Sequence, residues 1–217
     1  MSDLRPARGT DVHTETEVRR SRFITLLRRA DSEEEARALV TEARSRYPDA
    51  RHHCSAFVVD VPGANRVERS SDDGEPAGTA GMPMLEVLRG SGLTNVVAVV
   101  VRYFGGTKLG TGGLVRAYSE AVQGALAVTP RVRAETLGLW AVDVGHADAG
   151  RLEAELHARG VEVADVRYDA AGVRLTLAAA DGEELAGTVA ALTAGTAALV
   201  AAGETVVEQL DSAEHQT

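Results

Sequence analysis

The 217-residue sequence predicts an α+β protein of two domains, and three observations carry that expectation. An unbroken β-branched run, Val96 to Val101, feeds a glycine-rich stretch and then a helical pattern; it lacks polar alternation, as a strand buried on both faces does. Residues 137–210 read in the order β-α-β-β-α-β, the ferredoxin-like split motif. Between these patterns, Thr129, Pro130 and the charged stretch Arg131 to Glu135 read as a linker. The predicted domains are therefore residues 1–130 and 137–210, with a disordered tail at 211–217.

Taken in order, Ser21 to Leu27 is the first expected strand. Asp31 or Ser32 then caps a helix through Tyr47, with Glu33, Glu34 and Glu35 in its favourable first turn and Ala36, Leu39, Val40 and Ala43 on one face. Pro48 ends it. Cys54 to Val61 and Asn65 to Arg69 are expected strands joined at the hairpin signal Pro62-Gly63. The acidic, glycine-bearing stretch Ser70 to Gly81 is a loop, and a short helix follows from Ala80 to Arg89 with Pro83 in its first turn. After the buried strand and the glycine loop comes a helix from Leu114 to Val128. In the second domain the pattern gives strand Leu137 to Val144, helix Ala147 to Arg159, strands Val161 to Tyr168 and Val173 to Ala179, helix Gly182 to Thr193 and strand Thr205 to Leu210.

Composition narrows the function. A polar, charged opening stretch and the lack of a long apolar run predict neither a signal peptide nor a membrane helix. The single cysteine, Cys54, excludes an internal disulfide and a multi-cysteine zinc site, and fits a reducing cytoplasm. The net charge of −9 is uneven: residues 1–130 hold 17 basic and 17 acidic side chains, residues 131–217 hold 6 and 15. Binding to a polyanion is therefore expected from a local patch in the first domain.

That patch is sought in the glycine loop. Gly105, Gly106, Gly110, Gly112 and Gly113 surround Lys108, the one lysine of the chain, and Arg102 and Arg116 flank them. Loop amides at a helix start suit an anion, with Arg102 contributing if its side chain leaves the sheet. Tyr103 and Phe104 offer stacking surfaces for a base. Standard nucleotide motifs do not match: Leu109 follows Lys108 where a P-loop needs Ser or Thr, and Val115 stands where the dinucleotide fingerprint needs a small residue. Asp72, Asp73 and Glu75 could hold arginines or a hard cation, but an EF-hand is excluded by spacing, and no metal site or cofactor is expected. His52 and Cys54 share one strand face and His53 takes the other; residues two apart on a strand rarely form a nucleophile pair.

These segments resemble the YigZ/IMPACT family. The resemblance is carried by Ser21-Arg22-Phe23, the run Ala50 to Phe57, Asp72-Asp73-Gly74-Glu75-Pro76, Gly78-Thr79-Ala80-Gly81 with Pro83, and Arg102 to Ser119. It implies a first domain like the fourth domain of elongation factor G, a ribosomal-protein-like β-α-β fold, and a ferredoxin-like second domain as in bacterial members. It also implies a link to translation, since eukaryotic relatives regulate it through protein contacts. The chain departs from the family pattern at Ala77, where serine is usual, at His53 for asparagine and at Val101 for threonine, so a serine mechanism at 77 is excluded.

The leading expectation is a non-catalytic cytoplasmic factor that binds RNA, the ribosome or a translation-factor surface through Arg102, Tyr103, Lys108, Arg116 and the loop glycines. An enzyme acting on a phosphorylated or carboxylated small molecule, with His52, Asp72, Asp73 and Glu75 as candidates, is the first alternative. A purely protein–protein module is the second.

Overall fold

The computed structural model describes residues 3–61 and 65–211. The chain divides into two compact units, Asp3–Arg133 together with the segment from Gln209, and Ala134–Glu208.

The first unit opens with two strands the sequence reading passed over, β1 (Asp3–Pro6) and β2 (Asp11–Val18). In β2 the exposed positions are Asp11, His13, Glu15 and Glu17, and the inward ones are Val12, Thr14, Thr16 and Val18. Its period of two is complete, but half of its inward face is threonine, which hides the apolar alternation. β3 (Ser21–Arg29) pairs antiparallel with β2, and α1 (Glu33–Arg46) follows. Ser32 is its cap: the hydroxyl accepts the Glu35 N–H at 3.1 Å.

β4 (His52–Val59), β5 (Val67–Ser71), α2 (Gly81–Gly90), β6 (Val96–Tyr103) and α3 (Gly110–Ala127) complete the unit. The hairpin signal Pro62-Gly63 lies outside the described residues. The sheet runs β2-β3-β6-β4-β5, so β6 is its centre and every residue from Val96 to Arg102 is buried. α2 and α3 pack on one face, against Phe23, Cys54, Ala98 and Val100. α1 packs on the other, against Leu26, Phe57, Val97 and Val99. α3 begins four residues earlier than the sequence suggests, at Gly110, because poor intrinsic helix formers are carried by the packing of Leu114, Ala117 and Tyr118.

β7 (Arg131–Val144), whose residues up to Arg133 are counted with the first unit, replaces the expected linker: residues 131–135 are already strand, with Val132 and Ala134 buried. α4 (His146–Ala158), β8 (Glu162–Tyr168), β9 (Val173–Ala179), α5 (Gly182–Thr193) and β10 (Leu199–Leu210) follow, β10 beginning six residues before the expected start. β9 pairs antiparallel with both β7 and β8, and β7 pairs also with β1 and β10, so this five-stranded sheet runs β1-β7-β9-β8 with β10 beside β7. Leu152 and Leu156 of α4 and Leu185 and Val189 of α5 close over Val142, Leu175 and Leu177. Gly182 is required here, since a Cβ on it would lie 2.1 Å from the Trp140 ring.

Candidate functional site

The period of two along β6 puts Arg102 on the same face as Val96, Ala98 and Val100, beneath α3. The sequence expectation of Arg102 as a ligand-facing cation is thus corrected. Its side chain is 7% exposed, and Nη1 donates to Glu75 Oε1 at 2.7 Å. Phe23 and Phe104 lie 5.5 and 5.8 Å from the guanidinium carbon, and Nη2 reaches the Ser21 hydroxyl at 3.4 Å. Nε is buried and has no hydrogen-bond partner among the described residues.

Around this pair a network closes. The Tyr118 hydroxyl donates to the same Glu75 oxygen at 2.8 Å, and the Tyr118 ring meets Phe23 edge to face at 5.2 Å. The Cys54 thiol donates to the Asp72 carbonyl at 3.0 Å and lies 3.3 Å from the Tyr118 oxygen. Burial, only partly offset by that tyrosine contact, pushes the thiol up to about 12, so it stays protonated. Burial, reinforced by the thiol and by Glu75, likewise raises the Tyr118 phenol. Tyr118 escaped the sequence reading; its signal is a tyrosine at a core position of an amphipathic helix, where its hydroxyl must find a partner.

His52 sits opposite Arg102 in the β4–β6 register. Its Nδ1 meets the Asp73 carbonyl oxygen at 2.9 Å; since that oxygen only accepts, Nδ1 carries the proton. Nε2 then faces Glu75 at 4.0 Å, beyond hydrogen-bond length. Asp73 accepts the His53 N–H at 2.6 Å and Arg44 at 2.7 Å. Asp72 accepts three backbone N–H groups, from Gly78, Ala80 and Gly81, at 2.8 to 2.9 Å, and so ties the loop to the start of α2. Burial works to raise its carboxyl, but these donors together outweigh burial and leave it below the usual carboxylate range. His52, Asp72, Asp73 and Glu75 do converge, but as a brace that is hydrogen-bonded within itself. Among the described residues, no group of three His, Cys, Asp or Glu side chains is placed to hold a metal ion.

The glycine loop lies at the surface beside this brace. Tyr103 is withdrawn from it: its side chain belongs to the α1 face, its hydroxyl donates to Asp49 at 2.7 Å and Arg22 covers its ring at 5.5 Å. Phe104 takes the exposed position instead, 54% accessible. Gly105 lets the loop press against the preceding turn, since a Cβ would lie 2.0 Å from the Arg20 carbonyl carbon, and its N–H donates to Ser21. Gly106, Lys108, Gly110 and Gly112 are exposed and Gly113 is half-buried. Among the described residues α3 starts with no side-chain cap, and its first turn holds no acidic residue, so neither offsets its leading N–H groups and dipole there. Arg116 is exposed one turn on, paired with Glu120 at 2.8 Å.

Fold and site together define a two-unit α+β protein with a buried Arg102–Glu75–Tyr118 network beside a surface glycine loop. Residues 19–126 match the Impact N-terminal domain, and residues 142–196 match DUF1949, a domain of unknown function. IMPACT family member YigZ of Escherichia coli (strain K12) is 56% identical over 110 residues, 51% of this chain and 54% of that protein. The chain thus aligns with about half the length of that relative. IMPACT family member YvyE of Bacillus subtilis (strain 168) is 38% identical over 152 residues, 70% of this chain and 69% of the other. A crystal structure of a hypothetical protein superposes with a TM-score of 0.61 at 40% identity, covering 93% of this chain and 97% of that one. The chain belongs to the IMPACT family. No helix among the described residues is long and apolar enough to cross a membrane.

Proposed function

We propose that this protein is a cytoplasmic, non-catalytic, translation-associated regulator whose first unit binds RNA, or an RNA-bearing ribosomal surface, through the glycine loop. The observation that carries the reading is the start of α3, without a side-chain cap or an acid in its first turn, with Lys108 two residues before it and Phe104 exposed in the same loop. Unsatisfied N–H groups and the helix dipole favour phosphate, and an aromatic ring beside them can take a base. Arg116 adds charge once phosphate displaces its exposed pairing with Glu120. Arg102 acts from below, as the support that holds Phe104 and Glu75 in place.

The link to translation comes from the family resemblance. The reading takes the first unit as the type of fold found in the fourth domain of elongation factor G. It takes the second as ferredoxin-like, which the pairing of β9 with both β7 and β8, and of β10 with β7, supports. The enzymatic alternative is weaker because Glu75 is already engaged by Arg102 and Tyr118, and the thiol beside them is protonated.

Filter binding of a single-stranded RNA at a series of salt concentrations tests the proposal. Lys108→Ala with Arg116→Ala should weaken binding and flatten the log–log salt slope by about 1.4, at roughly 0.7 for each lost phosphate contact on a single strand. An unchanged slope, or no retention of RNA by the parent protein at low salt, refutes the assignment.

A further inference from the structure

A cleft of about 460 Å³ lies on the sheet face covered by α1, opposite the face that carries α3. α1 lines it with Arg37, Val40, Thr41 and Arg44, which the i, i+3, i+4, i+7 spacing sets on one stripe. β5 supplies Arg69 and Ser71, and β4 supplies the floor, Ser55 and Phe57. The register explains this convergence: Ser55 pairs with Ser71 and Phe57 with Arg69, so all four side chains leave the sheet on the α1 side. Ser55 and Phe57 are 8% and 5% exposed. Three guanidinium groups from two elements thus surround a floor made of one hydroxyl and one ring edge.

We propose that this cleft binds a phosphomonoester: a terminal phosphate held by Arg37, Arg44 and Arg69, with its small organic body over Val40 and Phe57. Three forked cations suit a dianion with three acceptor oxygens better than a carboxylate with two. The volume lies in the range of about 300–1,000 Å³ typical of small-ligand sites. The arginines are available for exchange. Arg37 pairs with Glu33 through a guanidinium 66% exposed, where an ion pair contributes little; Arg44, 56% exposed, gives Nη2 to the half-buried Asp73 and would share its guanidinium between that carboxylate and the phosphate. Arg69 donates to the Glu68 carbonyl at 3.1 Å and, among the described residues, is held by no carboxylate. None of these arginines belongs to the glycine loop, so the proposal is independent of the RNA reading.

Isothermal titration of the full chain with ribose 5-phosphate, inorganic phosphate and ribose tests it. Ribose 5-phosphate should bind, inorganic phosphate more weakly, and ribose not at all. Arg69→Gln should weaken ribose 5-phosphate by about tenfold or more, the loss of one charge-assisted interaction, with Arg69→Lys intermediate. The unfolding midpoint of each variant should match that of the parent, because among the described residues Arg69 has no ion pair to lose. Lys108→Ala with Arg116→Ala should leave ribose 5-phosphate binding intact, and Arg37→Gln with Arg69→Gln should leave RNA binding intact; each proposal can then fail alone. The assignment is overturned by no heat of binding at millimolar ribose 5-phosphate, by equal affinity in Arg69→Gln, or by displacement with an RNA lacking a terminal phosphate. Equal affinity for inorganic phosphate overturns the role given to Phe57.

Discussion

Replacing Glu75 by Gln keeps the shape of the side chain and an acceptor for Tyr118, and removes only the charge that Arg102 faces. The Arg102 and Glu75 side chains are 7% and 4% exposed, so water cannot take over from the carboxylate. The guanidinium would be left with a neutral amide oxygen in place of the carboxylate, the Ser21 hydroxyl at 3.4 Å and two aromatic rings, and with no counter-charge among them. Breaking a buried pair in this way costs about 3–5 kcal/mol. An exposed pair such as Arg116–Glu120, at 80% and 49% exposure, contributes little, because water and salt screen it. Glu75→Gln should therefore lower the melting temperature of the first unit by roughly 12–20 °C, at about 4 °C per kcal/mol for a unit of this size, and Glu120→Gln hardly at all. The measurement is urea and thermal unfolding followed by circular dichroism, with fluorescence of Trp140, in β7, as a reference for the second unit. Glu75→Leu combined with Arg102→Leu should recover much of the loss, because neither change then strands a buried charge. A loss below about 1 kcal/mol for Glu75→Gln would refute the reasoning, since the pair would then behave as a surface pair.

Other outcomes follow from the same geometry. Cys54, buried with its thiol raised to about 12, should resist alkylation at pH 8 in the native protein and react fully once unfolded; fast native labelling would show that the brace opens. Asp72 has a lowered folded pKa, so its contribution to stability is complete above the unfolded value near 3.8 and is lost as pH falls through the lower folded value. Asp72→Ala should cost about 1–2 kcal/mol at pH 7, as a lost helix cap does, and should make acid unfolding less steep in stability-against-pH curves. Gly105→Ala, with no room for a Cβ, should cost about 1–3 kcal/mol by overpacking and impair RNA retention. Gly112→Ala, which meets open space inside α3, should gain up to about 1 kcal/mol in the same unfolding assay.

The parts of the fold that could be read from sequence are those where one physical effect dominates. β6 declares itself because both its faces need apolar side chains, and α1 because Ser32 and three glutamates mark its start. β2 hides because Thr14 and Thr16 take inward positions, although the β-branched residues at 12, 14, 16 and 18 do hold the period. The start of β7 hides because Arg131, Arg133 and Glu135 alternate with Val132 and Ala134, so that local charge resembles a linker. At the site, the segments were legible but their roles were not. Whether Arg102 faces solvent or core depends on its parity with Val100, two residues earlier, and on Tyr118 waiting beneath α3 with Glu75. Such a contact, 27 residues away along the chain, has no local trace.

The alternation of β2 has a consequence for how the protein behaves in a crowded solution. β2 and β5 end the first sheet, and an end strand with unused N–H and C=O groups is a template for joining another chain. β2 sets Asp11, Glu15 and Glu17 along its exposed side, with Arg28 and Arg22 of β3 clasping Asp11 and Glu15 at 2.7 and 2.8 Å. β5 is only five residues long. A second molecule approaching β2 would have to bury those carboxylates, and one approaching β5 would gain few bonds. The sheet thereby resists growth into fibres at both its margins, although its central strand, six consecutive residues of valine and alanine, has the composition that aggregates most readily when exposed.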